Sequence, residues 1–159
     1  MKLKTLGGTP ADFPVTITVH ELDGTEDTFE FTGIGRTTLD WQPIQLSRIE
    51  KNVNSLIELE GKLEEEKSKA VADAEANAEA GEKPKKRKRM TVPHKEIAKA
   101  TEEGLAKAVE MVREFASGWE LEDEFTDENI RRLIARYPGI HEAGWAEYDR
   151  RIKGERTKN

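Results

Sequence analysis

The chain carries three histidines, His20, His94 and His141, and no two stand at the i, i+4 spacing with which a helix presents paired imidazoles to zinc. Cysteine is absent, which removes disulfides and thiolate metal sites together. Ser47, Ser55, Ser68 and Ser117 lack the sharp glycine-flanked turn that exposes a catalytic hydroxyl. The carboxylates Glu120, Glu122, Asp123, Glu124, Asp127 and Glu128 crowd one stretch, but without the alternation and central glycine of a calcium loop. They read as a charged loop feeding a helix N-terminus, where acid complements the helix dipole. Gly33-Ile34-Gly35-Arg36-Thr37-Thr38 stands between a strand and a helix, as a phosphate loop would, yet lacks both the third glycine of a dinucleotide fingerprint and a Gly-Lys-Ser/Thr. A turn needing a free backbone explains it. No metal and no cofactor is expected, and the chain reads as a binding protein rather than an enzyme.

Two side-chain groups remain that could bind a partner. Lys83, Lys85, Lys86, Arg87, Lys88 and Arg89 could neutralise phosphates in a salt-dependent way, which defines an alternative function as a nucleic-acid-binding accessory protein. Against it stand the formal net charge of −6, the acidic flanks, and the absence of interleaved aromatics for base stacking. The second group is aromatic. Trp41, Trp119 and Trp145 flank helical segments, and Phe115, Trp119, Phe125, Tyr137, Trp145 and Tyr148 concentrate in the last third. Such residues serve either as core or as anchors on a partner surface.

The elements that must position these groups follow from composition and periodicity. Charged residues make up 36% of the 159 residues and hydrophobic ones 35%, so the core is modest and the solvated surface large. The N-terminus, MKLKTLGGTPADF, has no apolar stretch of signal-peptide length, and no apolar run approaches the roughly 20 residues that span a bilayer. The expectation is a protein that stays in the compartment where it is made.

Residues 13–36 read as the only strand region. Val15, Ile17 and Val19 alternate with polar residues, as do Phe29 and Phe31, and Asp23-Gly24 between the runs is a hairpin turn pair. The apolar face of a lone hairpin must rest on a helix or on another chain. From Leu39 the period becomes helical, with Pro43 near the start and Ile49, Val53, Leu56, Ile57 and Leu63 forming a stripe. An alanine- and glutamate-rich continuation to Ala80 follows, and Gly81–Arg89 reads as a basic, flexible linker. A second helical region from about Pro93 to Ala116 buries Ile97, Leu105, Val109, Val112 and Phe115, and Ser117-Gly118 stops it. Thr126 caps a third helix with Ile130, Leu133, Ile134 and Tyr137 on its face, Pro138-Gly139 ends it, and Ile140–Ile152 suits a last one. The fold class is α+β: an N-terminal β-hairpin packed on helices, a long polar helix, and a helical C-terminal module. The corresponding segments are 1–63, 64–92 and 93–159.

The order of signals from Phe115-Ala116-Ser117-Gly118-Trp119 through acidic Glu120–Glu124 to Phe125-Thr126, then Asp127–Arg136 and Tyr137-Pro138-Gly139, resembles the C-terminal region of tail assembly chaperones from long-tailed bacteriophages or prophages. The terminal Gly154–Asn159 also resembles a common finish of that family. The resemblance covers roughly residues 108–159; the alanine/glutamate helix and the basic linker depart from it. It implies a non-catalytic protein of the bacterial host cytoplasm that binds the tape-measure protein and recruits tail-tube subunits, then leaves before the virion is complete. The residues it singles out are Trp119, Phe125, Tyr137, Pro138, Trp145 and Tyr148, as anchors or as the core that positions them.

Overall fold

Alternation in the first forty residues is realised as an antiparallel hairpin. β1 (Phe13–His20) and β2 (Glu26–Gly33) pair from Phe13 opposite Gly33 to His20 opposite Glu26. The turn closes with the Gly24 amide on the Glu21 carbonyl (3.0 Å), and Gly24 takes the positive φ that Asp-Gly foretold. Val15, Ile17, Phe29 and Phe31 point to one buried face. In this computed structural model residues 7–79 and 94–154 are described, and the basic residues Lys83 and Lys85, Lys86, Arg87, Lys88 and Arg89 lie outside them.

Helices follow as α1 (Thr38–Glu79) and α2 (His94–Phe115). The chain then forms a strand where a helix stop followed by loop was expected. β3 (Ala116–Trp119) pairs antiparallel with β2, giving a three-stranded sheet in the order β1-β2-β3. Four residues, two of them serine and glycine, carry no alternation; the exposed edge of β2 makes them a strand. A register shift between Thr32 and Gly33 leaves Ser117 as the extra residue, and its hydroxyl donates to Asp12 Oδ2 (3.1 Å). α3 (Asp127–Arg136) starts at the Thr126 cap, whose hydroxyl accepts from the Asn129 amide at 3.3 Å. After Pro138-Gly139 comes α4 (Ile140–Ile152).

The chain divides into two units: Met1–Pro43 together with His94–Asn159, and Ile44–Pro93. In the first, the sheet is packed by α4 against β1 and by α2 against β3, and α2 also meets α3 and α4. Its centre is aromatic. Tyr148 on α4, Phe115 on α2, Phe31 on β2 and Trp41 in the opening turns of α1 are all essentially inaccessible. The Trp41 ring lies 4.6 Å from Tyr148 and its indole N–H donates to Asp149 Oδ1 at 2.9 Å. Arg36 donates to the Glu114 carbonyl and, at 3.3 Å, to the Tyr148 hydroxyl. Gly35 follows from contact rather than from torsional freedom: a Cβ there would come within 2.0 Å of the Pro10 carbonyl. In the second unit, the rest of α1 exposes the stripe residues Ile49, Val53, Leu56, Ile57 and Leu63.

Candidate partner-binding groove

The apolar face of the sheet continues past its aromatic centre. Pairing of Phe31 with Trp119 sets the indole on the same face as Phe31, and Phe29 and Val19 follow along it at the period of two. A groove of about 560 Å³ is lined there by Val19, Phe29, Trp119 and Leu121 on the sheet side and by Leu133 and Tyr137 from α3. Its charged lining is divided by element. Arg132 and Arg136 come from α3, whereas Asp27, Glu120 and Asp123 come from the sheet and the loop after β3.

Local contacts fix this geometry. The Trp119 indole N–H donates to the Asp123 carbonyl at 2.7 Å, closing the acidic loop, and its ring meets Phe125 edge-on at 5.0 Å and Phe29 at 6.3 Å. Phe125 is held in turn by Arg113, whose guanidinium lies 4.6 Å over the ring and donates to Asp127 Oδ1 at 2.9 Å. At the other wall the Tyr137 hydroxyl donates to the Glu21 carboxylate, and Arg136 reaches the same carboxylate at 3.4 Å while covering the Tyr137 ring at 5.2 Å. The Glu21 bond raises the Tyr137 pKa, because an anionic acceptor holds the phenol proton in place.

The residues expected from sequence to meet a partner fall into two sets. Trp119 and Tyr137 line the groove, Phe125 supports Trp119 from behind, and Pro138 is exposed next to Tyr137. Trp145 is half-buried against Trp41 at 4.5 Å, and Tyr148 is fully buried, its hydroxyl donating to the Ile34 carbonyl at 2.5 Å. Tyr148 belongs to the core, and Trp145 packs at its edge on Trp41. Val19, Phe29, Leu133, Arg132 and Arg136 also form the groove and were not singled out. The apolar three sit in periodic patterns that sequence reading assigns wholly to core, and the arginines look like any solvated helix face. In the acidic stretch, Asp127 pairs with Arg113 at 2.8 Å and, with Glu128, occupies the first turn of α3. Among the described residues no three His, Asp or Glu side chains gather as metal ligands would.

A family model described as phage tail assembly chaperone matches residues 1–159. The chain belongs to that family. The match extends the resemblance beyond residues 108–159 to the hairpin, to α1 and to the basic run, so these too are parts of a tail assembly chaperone. No curated protein and no solved structure matches the chain. Among the described residues of the chaperone, no helix is long and apolar enough to cross a membrane.

Proposed function

We propose that this tail assembly chaperone binds the tape-measure protein of its phage through the groove between the sheet and α3. It recruits tail-tube subunits around that complex, without catalysis, and departs before the tail is complete. It acts in the cytoplasm of the bacterial host and is absent from the finished virion. The whole-length family match carries this reading; the groove is the surface we assign to it. An apolar floor between a cationic and an anionic wall suits a helix with an apolar ridge, acidic residues along one flank and basic residues along the other. Covering such a ridge keeps an aggregation-prone chain dispersed. Trp119 is already locked by the Asp123 and Phe125 contacts, so little side-chain freedom is lost when a partner settles on it.

Co-expression with the tape-measure and tail-tube proteins encoded in the same genome tests this. The tape-measure protein is expected to become soluble and to co-purify with the chaperone, and tail-tube protein to join the complex. If neither protein gains solubility or co-purifies, the reading fails.

A further inference from the structure

Within the second unit, α1 exposes Leu46, Ile49, Val53, Leu56 and Leu63. Their spacing alternates three and four residues, with Glu60 at the one position of the series that is not apolar. That is the 3.5-residue period of a two-helix seam, and the exposed Ile57 and Leu59 flank it on its two sides. An apolar seam of this extent on a highly charged helix marks an interface. We infer that the seam pairs with the same seam of a second copy of the chain, antiparallel and centred between Asn54 and Ser55.

Charge selects the occupant and its direction. Within 46–63, Arg48, Lys51 and Lys62 balance Glu50, Glu58 and Glu60, so two such segments meet without net repulsion. A parallel pair would set Glu60 on its own copy in the seam and gather both Glu64-Glu65-Glu66 blocks at the same end. The antiparallel pair puts Leu46 opposite Leu63 of the second copy, Val53 opposite Leu56 and Ile49 opposite Glu60, and sends the two acidic blocks to opposite ends. Along the flanks Glu50 falls beside Ile57 and Asn52 beside Leu59, so no like charges face one another. The overlap is about 27 Å long at a rise of about 1.5 Å per residue. This places the interface near the small end of stable ones, and the dimer should dissociate on dilution. The inference is independent of the groove, which lies in the other unit.

The chain has no cysteine, so single substitutions report pairing directly. Leu46→Cys and Leu63→Cys proteins, mixed and then oxidised at high concentration, are expected to give a disulfide-linked heterodimer, while each variant oxidised alone stays uncrosslinked. Wild-type chain should sediment as a dimer that Leu56→Lys converts to monomer without loss of helical circular dichroism. Cross-linking of each variant with itself would show a parallel pair and overturn the inference. So would a wild-type chain that is monomeric at high concentration, or a seam that cross-links only when tape-measure protein is added.

Discussion

Tyr148 brings four elements to one ring. Its hydroxyl donates to the Ile34 carbonyl after β2, and its ring stacks on Phe13 of β1 at 5.3 Å, meets Trp41 of α1 at 4.6 Å and lies 5.8 Å from Phe115 of α2. Burial raises the pKa of the phenol, so it remains a neutral donor. Tyr148→Phe keeps the packing and deletes both hydrogen bonds of the hydroxyl, to the Ile34 carbonyl and from Arg36, and should lower the unfolding free energy by about 1–2 kcal/mol in urea titrations. Two glycines give a sharper contrast. A Cβ on Gly144 would stand 2.6 Å from Phe115 Cζ and 3.3 Å from Phe31, whereas one on Gly104 would meet nothing within 4 Å. Gly144→Ala is therefore expected to destabilise by about 1–3 kcal/mol through overpacking. Gly104→Ala, in the interior of α2, should stabilise by about 1 kcal/mol. Sequence reading finds neither difference, because both residues look alike as glycines inside a helical pattern; the distinction is made by what crosses them.

α4 owes part of its stability to charge along its own length. Glu147 is bound by Arg150 at 2.8 Å through Nε and by Arg151 at 3.0 Å, and the Arg150 bond is the chief cause holding its carboxyl below the usual glutamate range. A carboxyl depressed on folding contributes stability that is present above its unfolded pKa of about 4.3 and is lost as pH falls through the folded value. Melting temperatures measured from pH 7 down into the acid range should therefore fall more steeply for the wild type than for Glu147→Gln. Helical periods and the Thr126 cap made α3 and α4 readable, as alternation and Asp23-Gly24 did for the hairpin. β3 was not readable: Ala116–Trp119 has no strand pattern of its own, and its pairing depends on a β2 edge 85 residues earlier, as the Ser117–Thr32 contact shows. Nor did sequence show which helices receive the hairpin. α4 and α2 take that role, because their aromatic residues fill the sheet face.

For the whole molecule, the family was legible in the last third and holds over residues 1–159. The candidate groove was legible in part. Trp119, Phe125 and Tyr137 are legible as aromatics that serve either as core or as partner anchors, but the arginine wall exists only once α3 is set beside the sheet. The central claim is that this groove receives the tape-measure protein. The most direct test replaces Leu121, an exposed residue lining the groove, with a photo-crosslinking amino acid in cells that also make the tape-measure protein. A control places the same group at Thr18, exposed on the opposite face of the sheet. A covalent chaperone–tape-measure adduct is expected from position 121 and little from position 18. Equal labelling from both positions, or an adduct from position 18 alone, would contradict it.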